Sequence, residues 1–227
     1  MELIEGLRTT GAVRSFTEEA VSDGVVRSLL DTARFAPNGG NAQSWRVVVL
    51  RDPGTRAAIR DLYLQGWSRY LAQSMAGLRP WAPITDAAAE RAAVAPFDDP
   101  SFVGPDPGDF AAHIDEVPVL LVLLADLRKL AAVDRDLDRY TFIGGASIYP
   151  FAWSLLLAAR DCGLGGVITT MPVFREPEVK ALLGVPTEFA VAALVALGHP
   201  VHQPKKLRRG AVEEFTTVDR FDGAAFI

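Results

Sequence analysis

Polar and conformationally special residues crowd together between Ala33 and Trp45: Ala33-Arg34-Phe35-Ala36-Pro37-Asn38-Gly39-Gly40-Asn41-Ala42-Gln43-Ser44-Trp45. Asn38, Asn41 and Gln43 each offer a donor and an acceptor, which suits a flat, uncharged, amide-rich ring. Pro37 ends the preceding helical pattern because it lacks an N–H and clashes with the turn before it. Gly39-Gly40 can take positive φ and bring bare backbone close to a ligand. The competing reading is a plain polar link from helix to strand. A second cluster, Lys205-Lys206-Leu207-Arg208-Arg209, is a cationic spot in a chain of net charge −5. It is either solvated surface or a phosphate partner.

Other chemistries are poorly represented. Cys162 is the sole cysteine, so no intrachain disulfide forms and the CxxC and Cys/His zinc patterns are missing. His113, His199 and His202 do not cluster, and His199 reads as structural within Gly-His-Pro. Neither a serine nucleophile elbow nor Walker spacing is present. Net acidity disfavours nucleic acid as a partner. No apolar run reaches the roughly 20 residues that a membrane helix needs, and Met1 to Glu5 lack the features of a secretory signal. The expectation is a cytoplasmic protein. With 227 residues, 49% hydrophobic and 22% charged, the chain can bury a substantial core in one or two domains.

The elements that must position these residues follow from periodicity. Residues 2 to 8 read as a short helix that stops near Gly11, followed by an extended link at Arg14-Ser15-Phe16. Ser22 caps a helix with Val25, Val26, Leu29, Leu30 and Ala33 on one face. A strand runs to Leu50, Asp52-Pro53-Gly54 turns, and Thr55 starts an amphipathic helix through Trp67 and Tyr70. Residues 77 to 116, with Pro80, Pro83, Pro96, Pro100, Pro105 and Pro107, form an irregular insertion, a lid or a pocket wall, with a helical alanine-rich piece at 87 to 95. Val117 to Ala125 is a fully buried strand. The apolar helix from Gly144 to Cys162, kinked or restarted by Pro150, lies in the core or at a dimer interface. Gly163 to Gly166 form a turn into Val167–Met171, then come a helix over Glu176–Leu183 and a second buried strand over Phe189–Leu197. The tail from Val201, anchored by Phe215, Phe221 and Phe226, wraps a neighbouring surface such as a partner subunit. Strands and helices alternate without regular βαβ spacing or GxGxxG, which argues against a Rossmann domain.

Four blocks in this order resemble the nitroreductase family of FMN-dependent oxidoreductases. They are Arg14-Ser15-Phe16, the loop from Ala36 to Trp45, the helix and glycine turn from Leu155 to Gly165, and Lys206-Leu207-Arg208. The resemblance implies a single α+β domain over 1–227, with a central, mostly antiparallel sheet flanked by helices. It also implies a domain-swapped homodimer embraced by C-terminal arms, with FMN at the subunit interface. Carried over by position, Arg14 would lie near the flavin N1 and O2 atoms. Pro37, Asn38 and Asn41 would line the ring edge and ribityl chain, supplied in part by the other subunit. The backbone of Thr169, Thr170 and Met171 would approach N5 and O4, and Lys206 and Arg208 would hold the phosphate. Thr10-Gly11-Ala12 stands where the family often has Arg-Arg-Ser; Arg8 is a candidate substitute.

A flavin carries the hard step itself, while the protein orients it and tunes its electronics. An always-charged arginine near N1 favours the negative charge of the reduced ring. The resulting expectation is an FMN-dependent NAD(P)H oxidoreductase that works by ping-pong, with NADPH or NADH as donor. A small aromatic acceptor, a nitroaromatic or quinone, would share the flavin face. Trp67, Tyr70, Phe97 and Phe102 either face that acceptor or simply pack. The alternative is a flavin-binding or flavin-sequestering protein without turnover, or other family chemistry such as flavin breakdown or dehalogenation.

Overall fold

The computed structural model describes residues 1–99 and 101–226, so Pro100 of the expected lid lies outside the described residues. In chain order the elements are α1 (Leu3–Thr9), α2 (Asp23–Ala33), β1 (Trp45–Leu50), α3 (Pro53–Met75), α4 (Ala87–Val94), α5 (Asp109–Ala112), β2 (Val119–Asp126), α6 (Tyr149–Asp161), β3 (Gly165–Thr169), α7 (Glu176–Leu183) and β4 (Phe189–Gly198). The strands form one antiparallel sheet in the order β1-β2-β4-β3.

Strand β2 explains the layering. All eight of its residues are buried, so both faces of the sheet must be covered. Val119, Leu121, Leu123 and Ala125 face a core built with α2 and α6. Leu120, Val122 and Leu124 face a second core that contains Ile59 and Tyr63 of α3, Ala111 of α5 and Val179 of α7. Each such leucine stabilises the fold by roughly 1.5–3 kcal/mol relative to exposure. On β4 the register skips a residue between Leu123↔Ala193 and Leu124↔Val191. This bulge puts Val191 on the same face as Leu194 and Ala196, against the simple alternation of a strand.

Helix boundaries follow local chemistry. Ser22 accepts from the Val25 N–H at 3.3 Å and caps α2 as the spacing suggests. Helix α3 starts two residues earlier than expected because Asp52 is its cap. The Asp52 carboxylate accepts from the Thr55 N–H and hydroxyl at 2.7 and 2.8 Å, with Pro53 in the first turn. Pro150 likewise sits in the first turn of α6 and restarts the chain there after the 3₁₀ turn Ile143–Ser147. Gly184, in the left-handed conformation at φ 62°, closes α7.

Two expectations need correction. Gly165 and Gly166 belong to β3 and not to a turn: a Cβ on Gly166 would stand 2.4 Å from Leu197 Cδ2 and 2.7 Å from the Ala196 carbonyl, so only glycine lets this edge strand close against β4. Gly11 is not a left-handed stop; its lost side chain makes room for Pro204 and Leu207, the latter 2.8 Å from where a Cβ would be. Phe215, Phe221 and Phe226 of the tail are 71%, 100% and 61% exposed in the single chain. No helix among the described residues is long and apolar enough to cross a membrane.

Candidate active site

The link from Ala12 to Phe16 is sewn along the β3 edge. The Val13 N–H donates to the Gly166 carbonyl at 2.9 Å, the Thr17 N–H to His199 at 2.8 Å, and the Val201 N–H to Ser15 at 3.0 Å. Arg14 is thereby held, exposed, at the mouth of a cleft of about 840 Å³ that it shares with Phe16, Arg56, His113 and Pro118. Tyr63, a buried α3 residue that the sequence reading did not single out, has its phenol pushed up by burial, with smaller opposing effects from Thr169 and the Arg14 charge.

Thr169 ends β3, half-buried; Thr170 is exposed, and Met171 opens the 3₁₀ turn Met171–Arg175. This turn lies directly on α3. A Cβ on Gly66 would stand 2.5 Å from the Met171 carbonyl oxygen and 3.1 Å from Phe174 Cβ. A glycine in the middle of a 23-residue helix was the available signal for such a close approach.

Separately, α1 and the tail form a groove of about 610 Å³ lined by Arg8, Thr9, Lys205, Lys206 and Arg209 together with the acidic Glu5. Arg8, Lys205 and Lys206 form no ion pair among the described residues. Nearby, Thr10 Oγ1 and Gln203 Oε1 are buried without a hydrogen-bond partner, and Gln203 Nε2 reaches the Thr9 carbonyl at 3.5 Å. Arg208 does not line the groove. Arg209 does, with its Nη1 donating to the Arg208 carbonyl at 2.6 Å.

The polar loop uses its amides on itself. Asn38 Nδ2 donates to the Ala36 carbonyl at 3.1 Å, and Asn38 Oδ1 accepts from the Gln43 N–H at 2.8 Å. The Gly39 N–H donates to Ser147 Oγ at 3.0 Å. Gly40, Asn41 and Gln43 have φ of 59°, 52° and 48°. Asparagine tolerates that region better than most residues, which explains its place here. Pro37 and Asn41 stay exposed, whereas Asn38 is committed to holding the loop. Among the described residues no hydrogen bond joins the loop to Arg14 or to the groove-lining residues.

Trp67, Tyr70, Phe97 and Phe102 are brought together, with two partners that spacing did not mark. Along α3, Trp67 stacks on Tyr63 at 6.1 Å and on Tyr70 at 5.1 Å. Tyr70 meets Trp81 at 6.4 Å, and Trp81 meets Phe174 at 5.9 Å. Phe97 and Phe102 make an edge contact at 5.0 Å. The 77–116 segment is pinned here: Trp67 Nε1 donates to the Pro107 carbonyl at 2.7 Å, and the buried Gln73 Oε1 accepts from the Trp81 N–H at 3.0 Å. Through these contacts the segment is fastened to α3.

A model of the Nitroreductase family matches residues 7–199. A Thermus thermophilus protein named NADH dehydrogenase is 31% identical, with 85% of this chain and 83% of that protein covered. In fold the chain is similar to the NADPH:FMN oxidoreductase from Vibrio harveyi complexed with NAD+, at a TM-score of 0.66 and 19% identity, covering 96% of this chain and 77% of that one. It is also similar to oxidized iodotyrosine deiodinase bound to FMN and 3-iodo-L-tyrosine, at 0.65 and 22% identity, covering 95% and 100%. A four-stranded antiparallel sheet, the arrangement of helices around it and a family match over most of the chain agree: this protein belongs to the Nitroreductase family.

Proposed function

We propose that the chain is an FMN-dependent oxidoreductase that takes electrons from NADH or NADPH and delivers them to a small, flat, electron-poor acceptor such as a nitroaromatic or quinone. The observation that carries this reading is the groove where Arg8 meets Lys205, Lys206 and Arg209. These unpaired cations, with an orphaned Thr10 hydroxyl nearby, form a donor set that fits a phosphate monoester. Bound there, FMN would supply two-electron chemistry, accepting hydride from the nicotinamide and passing electrons on.

The residues around it then have separate roles. Lys206, joined by Arg8 and Arg209, holds the phosphate. Arg14 offers a permanent positive charge toward the ring edge that gains negative charge on reduction. The Thr169–Met171 backbone supplies N–H groups toward the other edge, and Tyr63 fixes Thr169 from behind. The α3 wall shields the reacting face from water, and no acid–base dyad is required of the protein. Pro37 and Asn41, exposed in this chain, reach the ring from a second copy, and the exposed tail phenylalanines lie on that copy as arms. Likeness to the iodotyrosine deiodinase supports one second reading, reductive dehalogenation of a phenol at the same site.

A visible spectrum of the purified protein, followed by anaerobic addition of NADPH and then NADH, tests this. Flavin bands that bleach with either nucleotide and return with a nitroaromatic or quinone are expected. Bands that never bleach would point to flavin storage; a protein that binds no FMN would remove the cofactor assignment.

A further inference from the structure

Arg69 stands out on the α3 wall as a cation held by rings and not by acids. Its guanidinium lies 4.9 Å from the centroid of Phe97 and 4.9 Å from that of Phe174. One ring comes from the 77–116 segment and the other from the turn after β3, so Arg69 is the side chain they share. Nη1 donates to the Gln65 carbonyl at 3.1 Å. Among the described residues Arg69 forms no ion pair. Arg175, close by on the same turn, differs: Gln65 and Glu178 both accept from it.

Rings interact with the faces of a guanidinium, whereas its five N–H donors lie in its plane. Two phenylalanines therefore fix the orientation of Arg69 without using its in-plane donors. A planar fork held in this way is suited to a carboxylate, which it can meet with two parallel hydrogen bonds. Position adds the second half of the argument. Arg69 is three residues after Gly66, and side chains at that spacing are neighbours on a helix, roughly 5–6 Å apart. Gly66 abuts the Met171 carbonyl. The free donors thus belong to the wall beside the turn that approaches the reacting ring. Around them Trp81, Phe174 and Phe102 remain 39%, 41% and 42% exposed, an apolar surface for a flat body.

We infer that Arg69 selects electron acceptors that carry a carboxylate on the aromatic ring. This rests on the oxidoreductase reading above and adds the charge class of its acceptor.

The test uses the FMN-loaded protein and two unreactive ligands of equal shape, benzoate and benzamide, titrated by perturbation of the bound flavin's visible spectrum. Benzoate should bind about tenfold or more tightly than benzamide, the smallest effect expected of hydrogen bonds to a charged partner. In Arg69→Gln this preference should fall to about twofold or less, with benzamide affinity unchanged. Arg69→Lys, which keeps the charge but loses the fork, should fall between. The ratio of kcat/KM for 4-nitrobenzoate over 4-nitrobenzamide should follow the same order. Equal binding of the two ligands by the unaltered protein, or a preference that survives in Arg69→Gln, would overturn the inference while leaving NADH reduction of the flavin intact. A protein that holds no flavin fails at the earlier step.

Discussion

The basic groove and the α3 wall, both assigned to the proposed flavin site, differ in their degree of preparation. In the groove Arg8, Lys205 and Lys206 have no carboxylate partner, and a buried hydroxyl and amide oxygen nearby go unpaired. On the wall almost every polar group is already used: Trp67 on Pro107, Gln73 on Trp81, Arg175 on Gln65 and Glu178. The groove gains its order from an anion, whereas the wall holds its shape without one. Mutations in the groove should therefore change FMN binding and leave stability alone, whereas mutations of the packed groups of the wall, Arg69 aside, should first cost stability.

The largest expected effect is on the groove. Each charge-assisted contact to the phosphate contributes about 1.5–3 kcal/mol, so Arg8→Ala combined with Lys206→Ala should weaken FMN binding by about 100-fold or more. The thermal midpoint of the flavin-free protein should stay put. Arg208→Ala serves as the control and should have little effect in a flavin fluorescence titration.

Gly66→Ala attacks the wall instead. The new methyl collides with backbone at Met171, which cannot move aside cheaply. A loss of up to about 3 kcal/mol is expected from the denaturant midpoint, together with altered acceptor kinetics. Unchanged stability would mean that α3 and the turn are less tightly fitted than the geometry states.

Arg14→Gln lies between the two regions. Removing its charge should lower the bound flavin's reduction potential by about 30–60 mV, equivalent to roughly 1.4–2.8 kcal/mol for two electrons. A potential that does not move would place Arg14 away from the ring. Trp67→Phe, which deletes the bond to Pro107 and trims the ring stacked on Tyr63 and Tyr70, should cost at least about 1 kcal/mol and speed proteolysis within 77–116.

The smallest effect concerns a carboxylate outside both regions. Asp134 is buried, and the N–H of Phe142, joined by Arg139 and Ile143, holds its pKa below the ordinary 3.8. A depressed carboxylate contributes stability above its unfolded pKa and loses it as pH falls through the folded value. Asp134→Asn should therefore be less stable than the parent near neutral pH, and the gap should close below about pH 3.8. A gap that persists in acid would trace to packing rather than charge.

How much of this was legible depended on whether the cause was local. Helix α7 was read to the residue because a first-turn proline and Gly184 bracket it; β2 was recognised from its unbroken apolar run, although it spans Val119–Asp126 and not Val117 to Ala125. Arg14, Thr169 and Lys206 were marked through ordered motifs, but their neighbours were not. Tyr63 lies one turn before Trp67 and was visible as part of the same stripe. By contrast, Arg209 in place of Arg208 depends on how an irregular tail turns, which periodicity does not encode. Gly165, Gly166 and Gly11 were misread for one reason: a glycine needed for a close approach looks, in sequence, like a glycine needed for a turn. For Asn38, nothing in its neighbours shows that its amide bonds Ala36 and Gln43.

The most direct measurement compares the affinities of the unaltered, flavin-stripped protein for FMN and riboflavin, which differ by the phosphate alone, by quenching of flavin fluorescence. FMN should bind at least about 100-fold more tightly, and raising the salt concentration should narrow the difference. Equal affinities would contradict a phosphate held between α1 and the tail.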